Sequence, residues 1–294
     1  MRFSFSSGSL PTYSLPAIFE IGNNAGADAI EIMLSPRLLK QGATRLRFLE
    51  EGFNLPIASV HSVMRLREVS RARLFEDILE SARLTRKLEN CRSLVVHLPQ
   101  TSSAAFTSRW LETVLEAQEI LANSRARVSV ENLDPVPAED TADRDEWLSM
   151  TRWRVLSQEF GLGATFDTSH AAASGWDLLE YAENPHGALD NVHLSDVGGK
   201  AYSHDLLNTL LHAHRPPGTG NLQIERFLAR LAQTEFNGLI TLEISPLRVP
   251  WYWLPSAQRA LKEMLGFCRS AAGDARSQFT TNPRKRGLRS RIDR

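Results

Sequence analysis

Cysteine is scarce in this chain: Cys91 and Cys268 are the only two in 294 residues, far apart and without a CxxC spacing. That excludes a disulfide framework and a thiolate zinc site, and it sets a reduced, cytoplasmic compartment as the expectation. Long hydrophobic runs are missing too. Nothing approaches the roughly 18 consecutive apolar residues of a membrane span, and the opening MRFSFSSGSLPTYSLP has one Arg and no unbroken apolar stretch, unlike a secretory signal. A doubly wound nucleotide-binding sheet would show a glycine-rich loop after an early strand, but RFSFS leads into SGSLPTYS, without GxGxxG spacing. Net charge is also absent, with 34 Lys and Arg against 34 Asp and Glu. The balance conceals an asymmetry. Residues 274–294 carry seven basic and two acidic side chains, which leaves −5 on the first 273. An acidic body disfavours duplex nucleic acid as a partner, because phosphate contacts need Lys and Arg. The tail, reading SQFTTNPRKRGLRSRIDR, has few apolar residues and no helical stripe, so it is expected to be disordered from residue 273. It could touch nucleic acid or an anionic surface, but a solvated tail without a partner is the favoured expectation.

What the chain does have is a succession of short apolar runs, most of them closed by a polar, metal-competent residue. They read AIEIM with Glu31, IASVH with His61, SLVVH with His97, RVSVE with Glu131, GATFD with Asp167 and then His170, NVHLSD with His193, and LITLE with Glu243. Helix-like segments lie between them, at 36–52, 66–89, 105–122, 144–160, 223–234 and 256–270. The section 171–187 is interrupted by Gly175 and Pro185, although WDLLEYAE suggests a short helix. Strands that are apolar on both faces and alternate with helices about eight times imply a parallel sheet covered by helices. Eight such units over about 270 residues, with reactive side chains at the ends of many strands, predict a single closed α/β barrel, the (β/α)8 TIM barrel, over residues 1–272.

Each polar residue alone has a structural reading. Glu131 and Glu243 could pair with an arginine or a backbone amide, and His193 could bond a carbonyl. Asp167 follows a phenylalanine on a strand expected to be buried, where an unpaired carboxylate is costly. Together, two Glu, one Asp and one His at the same ends of four successive strands must converge on the barrel mouth. Three carboxylates there repel one another and raise each other's pKa, a penalty that a divalent cation removes. Mixed oxygen and nitrogen ligation suits Mn2+, Zn2+, Co2+ or Fe2+ better than Ca2+.

VENLDP, TFDTSHA, NVHLSDV, HRPPGTGNL and LITLEIS, in that order, resemble the xylose isomerase-like TIM-barrel superfamily over roughly residues 1–270. That superfamily holds sugar and sugar-phosphate isomerases and epimerases together with apurinic endonucleases of the endonuclease IV type. The isomerase resemblance implies one divalent ion held by Glu131, Asp167, His193 and Glu243. Glu131 and Glu243 would then also act as acid and base on opposite faces of a sugar, and His170 would contact substrate oxygens. Arg215, beside the PPGTG turn, or Lys200 could hold an anionic substrate group. The nuclease resemblance implies three zinc ions: one on His61, His97 and Glu131; one on Glu131, Asp167, His193 and Glu243; and one on His170, His212 and His214. His212 stands where those nucleases have Asp, and His204 with Asp205 offers another register. Many isomerase-like members also keep histidines matching His61 and His97.

Three functions remain open on these grounds: a metal-dependent isomerase or epimerase, a multinuclear zinc hydrolase, and a non-catalytic sugar-binding barrel. The expected partner is a small carbohydrate rather than a membrane, and a homo-oligomer is compatible with the sequence. Trp251, Tyr252 and Trp253 could line a sugar-stacking wall or cover a subunit contact.

Overall fold

In the computed structural model, eight short strands alternate with helices: β1 (Arg2–Phe5), β2 (Ile30–Met33), β3 (Ile57–His61), β4 (Ser93–His97), β5 (Arg127–Glu131), β6 (Gly163–Asp167), β7 (Leu189–Leu194) and β8 (Leu239–Leu242). The structure describes all residues except 65–69, 100–102, 134–149, 186–187, 203–206, 235 and 274–294, and the side chain of Arg71. Every strand pair is parallel, and the order around the sheet is 1-8-7-6-5-4-3-2. An isolated parallel bridge between Ser6 and Glu31 joins the two outer strands. The result is the expected (β/α)8 barrel.

Alternation along the strands decides what faces the site. Val130, Phe166, Val192 and Ile240 are fully buried under the helices, so their neighbours Glu131, Asp167, His193 and Thr241 point the other way, into the barrel. The outer face is fixed by an aromatic block. Phe166 stacks on Tyr181 with centroids 3.9 Å apart, Trp153 and Phe227 pack around it, and the Trp153 indole donates to the Val130 carbonyl at 2.9 Å. This block holds β5 and β6 immediately beside Glu131 and Asp167. Beneath the mouth the barrel interior is polar rather than aliphatic. Ser129 and Thr165 share a 2.8 Å hydrogen bond, Thr241 donates to Asn191, and Glu31 accepts from Ser59 and Asn191.

Helix boundaries depart from the periodicity in two places. The segment 36–52 is two helices, Pro36–Gln41 and Ala43–Phe53, because Gly42 takes φ 72° between them. Apolar spacing also places no helix between β1 and β2, yet Leu15–Ala25 is helical, capped by Gly26 in the left-handed conformation. Its Gly22, Asn23 and Asn24 are weak helix formers, and burial of Ile18, Phe19 and Ile21 compensates. Elsewhere Arg71–Thr85, Ala104–Leu121, Met150–Glu159, Ile224–Leu231 and Leu254–Ala271 occupy the expected segments. The interrupted section after β6 forms two short helices, Thr168–Ala173 and Leu178–Glu183. Past Gly273, the tail expected from residue 273 lies outside the described residues. Among the described residues, no helix is long and apolar enough to cross a membrane.

Candidate metal centre

The strand ends bring Glu131, Asp167, His193 and the residue after β8, Glu243, together: one ligand atom from each lies within 4.8 Å of the others. His193 Nδ1 is 2.8 Å from Glu131 Oε1 and 2.8 Å from Glu243 Oε2. Asp167 spends Oδ1 on the backbone N–H of His170, capping the helix that follows. Its Oδ2 is buried and, among the described residues, has no hydrogen-bond partner. Asn132 locks the end of β6 from the neighbouring strand, its side chain accepting from Asp167 N and donating to Asp167 O.

The electrostatics reflect crowding of like charges around one imidazole. Burial alone would lower the His193 pKa, but the charges of Glu131, Glu31 and Glu243 hold it well above its ordinary 6.5. Burial would raise Glu243, but the charge and hydrogen bond of His193 bring it down to about 2. Glu131 is likewise held well below its ordinary value, burial being outweighed by His193, His97 and His61. Asp167 has no such partner in contact, and burial pushes its pKa up despite His170 and His214 nearby. An orphaned carboxylate oxygen beside two others is the deficit that a divalent cation meets.

A second group shares Glu131. His61 Nε2, His97 Nε2 and Glu131 Oε2 form a triangle with edges of 3.1, 3.2 and 3.3 Å. Donors bound at about 2.0 Å around a tetrahedral zinc stand about 3.3 Å apart, so this spacing also fits one ion. Burial would lower the His61 pKa, but the hydrogen bond and charge of Glu131 raise it to about 9. His97 goes the other way, lowered by burial that Glu131 only partly offsets. His97 is 31% exposed and Glu243 17%, whereas His61, Glu131 and His193 are at most 1% exposed, so the site opens to solvent on the His97 and Glu243 sides.

The remaining candidates lie at the rim. His170 and His214 meet edge to face at 5.4 Å, and His214 contacts Ser169 and the Glu243 carbonyl from a left-handed backbone, φ 48°. His212 ends the turn Asn208–His212, with its Nδ1 buried and unpartnered among the described residues. It does not join His170 and His214 in any metal-competent group of three among the described residues, and His204 and Asp205 lie outside them. Arg215 pairs by its backbone with Asp196, and its side chain reaches the Gly198 carbonyl at 3.4 Å, while Lys200 is exposed on the same loop. Trp251, Tyr252 and Trp253 are exposed past β8.

Two carboxylates matter here that residue-by-residue reading leaves without a role. Glu31, fully buried, is 3.0 Å from His193 Nε2. Asp196 accepts from the backbone N–H groups of Val197, Gly218, Gly220 and Leu222, and so folds the PGTGN turn beside the mouth. Gly220 is needed there because a Cβ would stand 2.3 Å from the Val197 carbonyl oxygen. The only prior signal for either was a carboxylate inside an apolar strand, IEIM, and the last letter of HLSD.

Comparison with known proteins agrees with this fold. Residues 19–271 match the profile of the family described as xylose isomerase-like TIM barrel. An uncharacterized protein of Mycobacterium leprae is 25% identical over 262 residues, covering 83% of this chain and 89% of that one. Among solved structures, the IolI protein with a bound zinc atom superposes with a TM-score of 0.68 at 15% identity, over 93% of this chain and 98% of that one. D-allulose 3-epimerase from Methylomonas sp. in complex with D-allulose superposes with a TM-score of 0.66 at 16% identity, over 92% and 97%.

Proposed function

Because the chain belongs to the xylose isomerase-like TIM barrel family, we propose that it is a divalent-metal-dependent isomerase or epimerase of a small sugar or sugar phosphate. The observation that carries this reading is the convergence of Glu131 and Glu243 on one nitrogen of His193, each at 2.8 Å, with Asp167 in the same cluster. Glu131, Asp167, His193 and Glu243 would hold Mn2+, Zn2+ or Co2+, a choice favoured by their mixed oxygen and nitrogen donors. When bound, such an ion supplies Lewis acidity that polarises a carbonyl and its adjacent hydroxyl, acidifying the proton between them.

The chain's own residues do the rest. Glu131 and Glu243 arrive from β5 and the end of β8, so a sugar carbon between them meets one carboxylate on each side. One glutamate takes the proton from the carbon next to the carbonyl. The other returns a proton to the opposite face in an epimerisation; in an isomerisation the proton goes to the former carbonyl carbon while the hydroxyl proton passes to the former carbonyl oxygen. His170 stands at the rim with a ring suited to sugar hydroxyls, and His214 packs edge to face against it. Arg215 and Lys200 lie on the loop after β7, where a phosphate or carboxylate of an anionic sugar would meet positive charge. The D-allulose 3-epimerase fold match supports a carbohydrate as the partner.

Deuterium exchange tests this directly. The protein loaded with Mn2+ or Co2+ should transfer solvent deuterium to the carbon next to the carbonyl of a ketose or aldose from a panel, and Glu243→Gln should abolish the transfer. A second reading is favoured by one observation, the His61–His97–Glu131 triangle, which would give a multinuclear hydrolase acting on a phosphodiester or other small substrate. One ion per chain together with deuterium exchange supports the isomerase. Two or three ions with no exchange support the hydrolase.

A further inference from the structure

We propose that Glu31 is the positioning residue of the metal centre: its buried carboxylate accepts the Nε2 proton of His193 and thereby keeps Nδ1 free as the ligand nitrogen. This rests on the metal reading above and adds to it the group that sets the histidine's tautomer.

Glu31 lies on β2, across the barrel from β7, and is fully buried. Its Oε2 is 2.8 Å from Ser59 Oγ, 3.1 Å from Asn191 Nδ2 and 3.0 Å from His193 Nε2. The Asn191 amide is oriented by Thr241, whose hydroxyl donates to Asn191 Oδ1 at 2.8 Å, so it is the Nδ2 donor that faces Glu31. Ser59 and Asn191 are neutral donors, which leaves His193 as the strongest partner of a carboxylate withdrawn from water.

The two imidazole nitrogens therefore have different surroundings. Nδ1 faces Glu131 and Glu243, and Nε2 faces Glu31. Once an ion has displaced one of the ring protons, the imidazole is neutral and carries a single N–H. With that proton on Nδ1, the Nε2 lone pair would point at a carboxylate oxygen 3.0 Å away, lone pair against lone pair. With the proton on Nε2, it is donated to Glu31 and the Nδ1 lone pair is directed into the ligand cluster. The same bond fixes the ring plane and makes the liganding nitrogen more basic, as carboxylates behind metal-bound histidines do in general. A purely structural Glu31 would need only its bonds to Ser59 and Asn191, and the charge would then be immaterial.

The test uses the whole chain and Zn2+ alone. In protein labelled with 15N-histidine and loaded with Zn2+, His193 should show a protonated, hydrogen-bonded Nε2 and an unprotonated, metal-shifted Nδ1. Glu31→Gln removes the charge at nearly constant shape, and it should weaken Zn2+ binding by roughly 10- to 100-fold and move the Nε2–H resonance. Ser59→Ala keeps the charge and removes one neutral donor, so Zn2+ affinity should stay within about threefold of wild type. Zinc bound through Nε2 in the wild-type spectrum, which requires no variant to fold, overturns the role of Glu31 alone. So does a Glu31→Gln protein that binds Zn2+ as wild type does, or an equal loss in both variants. No Zn2+ uptake by the wild-type chain overturns the functional reading as well.

Discussion

Of the two carboxylates against His193 Nδ1, Glu243 is 17% exposed and Glu131 only 1%. On the proposed function, Glu243 is thus the one that a sugar would meet first, whereas Glu131 is also engaged by His61 and His97. Replacing Glu243 by Gln keeps the shape and removes the proton acceptor, so turnover should fall by about 100- to 10,000-fold while the circular dichroism of the folded barrel is retained. Turnover near the wild-type rate would sink the two-glutamate mechanism. At this scale the sequence discloses the clustering of Glu131, Asp167, His193 and Glu243 well, because each stands at or near a strand end and strand ends meet at the mouth of a barrel. It discloses Glu31 poorly. The partners that give Glu31 its role, Ser59, Asn191 and His193, are 28, 160 and 162 residues away and share nothing with it until the barrel closes. His212 shows the converse, since the nuclease resemblance implies it as a ligand but, among the described residues, it forms no metal-competent group with His170 and His214.

Among the elements, the PGTGN turn in the loop after β7 is anchored by the side chain of Asp196. Asp196 is fully buried and its two oxygens accept four backbone N–H groups at 2.8–3.0 Å. Asp196→Ala would strand those donors, at a cost of roughly 3 kcal/mol or more, and lower the melting temperature by roughly 10 °C. Differential scanning calorimetry reads this, and an unchanged melting temperature would contradict the hub. Strand runs such as IASVH and GATFD were legible because fully apolar outer faces are unusual outside a covered parallel sheet. Helix limits were less so. Gly42 divides one apolar stripe into two helices, and Leu15–Ala25 is stabilised by packing that its own Gly22-Asn-Asn sequence does not advertise.

For the whole molecule, the charge arrangement makes stability and metal binding depend on pH together. His61 has its folded-state pKa raised to about 9, so in the metal-free protein its contribution is complete below about 6.5 and disappears as pH climbs through about 9. Glu243, brought down to about 2, contributes above about 4.3 and loses that contribution only as pH falls through about 2. The metal-free barrel should therefore lose stability between pH 6.5 and 9. A divalent ion on Glu131, Asp167, His193 and Glu243 would have to displace the Nδ1 proton of His193, whose pKa is likewise raised, so its stabilisation should grow as pH rises. Thermal melts with EDTA and with added Zn2+ at pH 6.5 and 9 measure both, and a metal increment that does not change with pH would contradict the assignment.

The claim on which the functional reading depends is that the mouth of the barrel holds a divalent ion on Glu131, Asp167, His193 and Glu243. Anomalous diffraction at the zinc edge, from crystals grown with Zn2+, tests it most directly. The expected result is a peak bounded by those four side chains. Peaks confined to other places, or none within reach of His193 Nδ1, would contradict it.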